Sequence, residues 1–294
     1  MKGRPEGVLV VDKPKGMTSH DVVQVLRRTL KTREVGHAGT LDPMATGVLV
    51  VAIGEATKLV PYLTAADKSY LGTVALGVGT DSLDADGTLT ETRPPPADWQ
   101  ARLDDALARE RARVLQAPPV ISAIRKDGVR SYEAARRGET LDLPPRPVRV
   151  IALHALATRE DPPAIDLEVT AAKGYYVRSL ARDLAEGVGA AGHLTSLRRT
   201  RSGSFTLDEA VALDAPDLAT HLLPLAAGAA RALPMVQLTS PATLDARAGR
   251  PVDPAAFTPP LGEGPHAWLD PEGVLVAIGT LENGFGRVVR GFQT

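Results

Sequence analysis

Residues 48–53 read VLVVAI, six apolar residues without alternation, and they follow directly on the loop GHAGTLDPMATG at 36–47. A short unbroken run of aliphatic and β-branched residues is the pattern of a strand covered on both faces, so this chain must place layers on either side of a sheet. The loop restrains how the strand is entered. Pro43 fixes its own φ and biases Asp42 toward an extended backbone, while Gly36, Gly39 and Gly47 permit close approach to a ligand. One carboxylate, Asp42, is thereby held just before a buried strand. Its spacing fits either an Asx turn or an acid fixed at a cleft.

The flanking segments predict alternating strands and helices. Val8–Val11 reads as a strand, followed by a turn at Lys13-Pro14-Lys15-Gly16. Ser19 is the expected cap of a helix bearing Val22, Val23, Leu26 and Leu30 at helical spacing. Tyr70 to Val78 predicts a further strand, ended by DSLDADG, and Pro94-Pro95-Pro96 a stiff connector. Asp98 is expected to cap a helix from about Trp99 to Leu115, and Ser131–Arg137 to form a short one. Residues 148–158 and 165–171 alternate as strands of a mixed sheet. Val177, Leu180, Ala181, Leu184 and Val188 make one apolar helix face, stopped by Gly189. Arg178 falls in the first turn of that helix, where the dipole prefers an acid; the mismatch points to a partner carboxylate elsewhere. Beyond residue 205, segment 210–233 predicts a helical connector and 234–294 a small β-rich domain of short strands separated by Pro and Gly turns.

Composition excludes several chemistries. The 294 residues contain no cysteine, which removes disulfides, thiolate zinc sites and a cysteine nucleophile. There is no phosphate-binding G-x-x-x-x-G-K-[ST] loop, no G-x-S-x-G elbow and no H-E-x-x-H, and the six histidines lie without metal-ligand spacing. With 44% hydrophobic and 23% charged residues the chain has the make-up of an ordinary globular protein. Its apolar runs are too short for a membrane span, and the opening MKGRPEGVLVVDKPKG is not expected to be a signal peptide. The net charge of −1 hides a division. Residues 1–37, 121–150 and 173–204 hold 21 basic and 10 acidic side chains, while 81–110 and 205–294 hold 8 and 18. A polyanion can bind one part of such a chain because the field is local; the alternative is that these runs are solvated faces.

The string GHAGTLDPMATGVLVVAIGEATKLV resembles the catalytic signature of the bacterial tRNA pseudouridine synthase B (TruB) family. The resemblance continues in order through VLVVDKPKGMTSHDVV, KSYLGTVALGVGTDSLDADG, QAPPVISAIRKDGVRSYEAARRG, KGYYVRSLARDLAEGVG and HLTSLRRTRSGSF, about two-thirds of the chain. The last sixty residues more weakly resemble the family's small PUA-type domain. Ile121 stands where the family commonly has Tyr, and Arg125 where Lys is usual, so the resemblance does not carry the details of RNA contact over to these two positions.

The resemblance implies an α+β fold: a mixed, largely antiparallel sheet flanked by helices, with a catalytic domain over 1–230 and a PUA-like domain over 231–294. It implies isomerisation of uridine 55 in the tRNA T-loop to pseudouridine. Asp42 matches the essential aspartate, Arg178 the arginine that pairs with it, and Tyr70 the aromatic packed on the target base. Tyr176 and Leu197 match residues lining the pocket, and His37 the contact to RNA where the flipped nucleotide has left the stack. No cofactor and no metal are expected, since the reaction transfers no group to or from outside. The expected partner is the T-stem loop of tRNA, with no membrane and no obligatory protein partner, and the expected form is a cytoplasmic monomer. Asp42, ionised beside Arg178, is expected to act either as nucleophile on the sugar or as base at the C2′ proton. The acidic 205–294 segment is assigned a secondary role in binding, and Arg136 and Arg137 a role in gripping phosphate. Two other classes fit the residues alone: an RNA-binding module without chemistry, and an Asp-dependent nucleoside-cleaving enzyme, though the latter normally uses a second carboxylate or a metal.

Overall fold

A computed structural model describes residues 4–121, 125–126, 129–130 and 143–293. In chain order these form β1 (Gly7–Lys13), α1 (Ser19–Thr29), β2 (Val35–Ala38), β3 (Thr46–Ile53), α2 (Val60–Thr64), β4 (Lys68–Thr80), β5 (Leu89–Arg93) and α3 (Leu103–Arg111). There follow β6 (Leu115–Gln116), β7 (Arg125–Lys126), β8 (Val129–Arg130), β9 (Arg146–Pro147), β10 (Val150–Glu160), β11 (Pro163–Ala171), α4 (Val177–Gly187) and β12 (Gly192–Ser202). The remainder comprises β13 (Phe205–Thr206), β14 (Val211–Ala212), α5 (Leu225–Ala230), β15 (Met235–Leu238), α6 (Ser240–Arg247), β16 (Phe257–Thr258), β17 (His266–Leu269), β18 (Leu275–Glu282) and β19 (Phe285–Gly291). The class is α+β with largely antiparallel sheets, as the resemblance implies. No helix among the described residues is long and apolar enough to cross a membrane.

Two compact units result. The first holds the described residues within Met1–Leu41, Val48–Ala66 and Gly203–Thr294, and the second Asp42–Gly47 and Asp67–Ser202. In the first, β2 pairs antiparallel with β3, β1 lies beside β3, and β14 pairs in parallel with β1. Val48 to Ile53 is buried throughout, so the non-alternating run does become a strand covered on both faces. Its core joins Val8, Val50 and Leu59 with Leu225, Leu275 and Ile278. Residues 235–291 supply a five-stranded sheet in the order β16-β15-β17-β18-β19, where Trp268 meets Phe257 edge-on at 4.8 Å.

In the second unit the strand order is β10-β11-β4-β12, all antiparallel, and β12 then pairs in parallel with the first residues of β3, Arg198 opposite Thr46 and Arg199 opposite Gly47. Helix α4 packs on β12 through its apolar face, with Leu180, Ala181 and Leu184 buried. The approach is so close that a methyl group at Gly192 would lie 2.5 Å from the Ala185 Cβ.

Several local expectations are corrected. Thr18, not Ser19, caps α1: its hydroxyl accepts from the Asp21 N–H while Asp21 accepts from the Thr18 N–H, and Ser19 instead exchanges hydrogen bonds with the Leu41 backbone. Asp98 stands at the cap of Trp99–Arg102, a tighter 3-10 turn before α3, but its side chain makes no capping bond there; its carboxylate pairs with Arg102 at 2.9 Å. The helix ends at Arg111, so Leu115 belongs to β6. Segment 210–233 is α-helical only at α5, because Pro216 and Pro224 interrupt it and Asp217 adopts a φ of +52°. Helix α6 lies in a segment expected to hold only strands. The helix expected at Ser131–Arg137 lies outside the described residues, as do Arg136 and Arg137.

Candidate active site

The Asp42 loop is secured where it enters β3. The Ala45 N–H donates to the Asp42 carbonyl at 3.1 Å, forming a tight turn over Pro43. At its end, Gly47 has a φ of +98°, and a Cβ there would lie 2.2 Å from the Arg199 carbonyl oxygen. Only glycine allows β12 to approach that closely at this backbone angle. The Asp42 side chain stays 35% exposed, so one side remains open to a ligand.

Arg178 meets it from the second residue of α4. The guanidinium side chain is only 6% exposed, and its Nε lies 2.8 Å from Asp42 Oδ2, an ion pair in which the N–H is not aligned for a hydrogen bond. Its Nη1 donates to the Ser82 carbonyl at 2.7 Å and lies 3.5 Å from Asp84 Oδ2. Asp84 is itself buried and fixed, its Oδ1 accepting from the Ser82 hydroxyl at 2.6 Å and the Asp86 N–H at 3.2 Å. Leu83, with φ +62°, and Ala85 hold this turn against β12 through hydrogen bonds with the Leu194 backbone. A buried cation is thus shared between a locked carboxylate behind it and an accessible one in front. The arrangement supplies a fixed negative oxygen whose position depends on the fork of Arg178.

Tyr176 caps α4 in extended conformation. Burial pushes its phenol above the usual range; Arg146 and Arg178 oppose that rise and Asp42 adds to it, so all three charges act on this hydroxyl. On the sheet, Tyr70 is half-buried and stands opposite Arg199, while the buried Leu197 stands opposite Gly72. Directly paired antiparallel residues share a face, so Tyr70 and Leu197 are diagonal neighbours on one face, roughly 7–8 Å apart at Cα. Gly47, Arg199 and Tyr70 form one row across three strands, which sets the end of the Asp42 loop roughly 10 Å from Tyr70. Near this row, burial lowers the Lys68 amine to about 8, with the charge of Arg199 adding to the shift.

The fold therefore brings Asp42, Arg178 and Tyr176 together and sets Tyr70 and Leu197 on one face of the adjoining sheet. His37 belongs to the other unit, half-buried on β2 opposite Val51. Asp84 is a site residue that sequence patterns did not single out. DSLDADG has the composition of a solvated turn, and the signal in it is the density of Asp and Ser that bond their own backbone. Among the described residues no three His, Asp or Glu side chains are grouped to hold a metal.

Residues 27–177 match the model of the TruB family pseudouridylate synthase N-terminal domain, and residues 178–233 that of the tRNA pseudouridylate synthase B C-terminal domain. A tRNA pseudouridine synthase B from Corynebacterium aurimucosum is 46% identical over 279 residues, covering 92% of this chain and 91% of the relative. One from Streptomyces coelicolor is 44% identical over 283 residues, covering 93% of each. Among solved structures, a chain of a Cbf5–Nop10–Gar1 complex superposes with a TM-score of 0.73 at 24% identity, covering 98% of this chain and 84% of the other. That likeness concerns the fold.

Proposed function

Since the chain belongs to the TruB family of pseudouridylate synthases, we propose that it isomerises uridine 55 in the T-loop of tRNA, with Asp42 as the essential carboxylate. The observation that carries this reading is the 2.8 Å ion pair between the half-open Asp42 and the buried Arg178. The reaction breaks the N1–C1′ bond of uridine, turns the freed uracil, and forms a C5–C1′ bond. C5 loses a proton and N1, freed from C1′, gains one, so substrate and product are isomers and no outside group is consumed.

A base inside an RNA stack cannot reach Asp42, so the nucleotide must be everted, at a cost of a few kcal/mol. Stacking on Tyr70 and cationic contacts to the backbone offset that cost. Leu197 and Tyr176 exclude water from the everted base, and His37 contacts the RNA it leaves. Asp42 then attacks C1′ or removes the C2′ proton; both routes use the same fixed oxygen. The chain acts in the cytoplasm as a monomer on the T-stem loop, with residues 231–294 as an accessory RNA-binding domain.

The test is Asp42→Asn with a transcript tritiated at uracil C5. Only C–C glycoside formation displaces that atom. Loss of tritium release with tRNA affinity retained supports the assignment, and normal release by the Asn variant overturns it. Free uracil as the wild-type product would indicate nucleoside cleavage instead.

A further inference from the structure

The Arg178–Asp42 pair is only as well placed as the first turn of α4, and that turn has no capping side chain of its own. Tyr176, the residue at the cap, makes no side-chain hydrogen bond to the helix. What holds the turn comes from 60 residues earlier in the chain. Gln116, 1% exposed, donates through Nε2 to the Tyr176 carbonyl at 3.1 Å and accepts through Oε1 from the Tyr176 N–H at 2.9 Å. Next to it, the Ala117 carbonyl accepts from the Ser179 hydroxyl at 2.8 Å. Residues 176 and 179 bracket Arg178, so both sides of the arginine are tied to one two-residue segment.

The chemistry of this contact is specific to glutamine. Tyr176 has φ −110° and ψ 112°, an extended residue whose N–H and C=O point the same way. A planar carboxamide presents one donor and one acceptor side by side and closes both bonds as a neighbouring strand would. Glu lacks the donor at neutral pH, and Asn is one carbon too short. The backbone of Gln116 is meanwhile paired with Arg146 across β6 and β9, which keeps the amide from shifting. Arg146 is also one of the charges acting on the Tyr176 phenol.

We propose that Gln116 is a positioning residue for catalysis: its carboxamide sets the entry of α4, and thereby the place of the Arg178 fork against Asp42 and of the Tyr176 ring. It touches neither substrate nor the reacting atoms. This inference rests on the reading of Asp42 and Arg178 as the reacting pair, and the experiment separates the two.

The variant is Gln116→Met, which keeps the length of the side chain and removes both bonds. Three quantities are measured on the full chain: the single-turnover rate at saturating transcript, the transcript Kd, and the Arg178 Nε–H resonance, assigned by its absence in Arg178→Lys. The expected result is a rate lower by at least about tenfold, a Kd within about twofold of wild type, and a displaced Arg178 resonance. A role in folding alone would lower the melting temperature and leave the rate of the folded enzyme and the resonance in place, which overturns the proposal. A weakened Kd with an unchanged saturated rate overturns it as well, since that places Gln116 in binding. If the Met variant does not fold, Gln116→Glu, which keeps the acceptor for the Tyr176 N–H, is held to the same three criteria. If Asp42→Asn retains turnover, the underlying reading fails. If Asp42→Asn is inactive and the Gln116 variants turn over normally, only the present inference fails.

Discussion

Replacing Arg178 by lysine tests whether catalysis needs a positive charge behind Asp42 or the particular shape of a guanidinium. The structure separates these, because one side chain serves three partners: Asp42 at 2.8 Å through Nε, and the Ser82 carbonyl at 2.7 Å and Asp84 at 3.5 Å through Nη1. Two unit charges 2.8 Å apart attract by about 6 kcal/mol at an effective dielectric constant near 20, before the cost of desolvating either partner. Lysine keeps the sign of that attraction. It cannot keep the geometry, since a single ammonium on a flexible stem does not reach the front carboxylate and the rear carbonyl together. The forfeited charge-assisted bond is worth about 1.5–3 kcal/mol. If about 2–3 kcal/mol of that appears in the transition state, the single-turnover rate on saturating C5-tritiated transcript falls roughly 30- to 150-fold. The transcript Kd, measured by filter binding, stays within about twofold, because Arg178 is too buried to touch the RNA backbone. A lysine variant within about threefold of the wild-type rate would refute the reasoning, because the fork would then be dispensable.

Two further outcomes follow from the same geometry. Gly47→Ala sets a Cβ 2.2 Å from the Arg199 carbonyl at a φ of +98°, so it is expected to lose at least about 2 kcal/mol of stability in urea unfolding and to displace the Asp42 loop; a fully stable, fully active alanine variant would contradict the close approach. Lys68 provides a pH signature. Burial lowers its folded-state value to about 8 from 10.5, so between those pH values the unfolded chain binds more protons and stability rises with pH. Lys68→Met is therefore expected to be more stable than wild type at pH 7, on the order of 1–3 kcal/mol, with the advantage shrinking as pH climbs from about 8 toward 10.5. A stability difference that does not change with pH over that window would show that the amine is not desolvated.

Much of the fold and part of the site were legible in the residues because their causes are local. Val48 to Ile53 is apolar without alternation, and a strand of that kind has to be covered twice. Val177, Leu180, Ala181 and Leu184 recur at helical spacing and form α4 with Arg178 in its first turn. A basic side chain there, against the dipole, correctly pointed to an acid from elsewhere. Strand β12 was not legible. Its stretch LRRTRS reads as solvated charge, yet Leu197, Arg199 and Ser202 are buried, which a one-dimensional pattern of apolar residues does not register. Asp84 and Gln116 escaped for a related reason: an Asp in a Gly-containing turn and a Gln at a helix end look exposed until another strand is laid over them.

The amino-acid order alone thus settled the strand at 48–53 and the helices α1 and α4, which loop carries a constrained carboxylate, and which family the motifs resemble. Those properties depend on residues within a few positions of one another. Tertiary structure decided the rest: that the exit of the Asp42 loop pairs with Arg198 and Arg199, that α4 packs on the same strand, and that Arg178 therefore stands between Asp42 and Asp84. The separations from 42 to 84 and from 84 to 178 carry no local signal. The order of strands in the sheet closes those distances, and with them fixes which charge faces which.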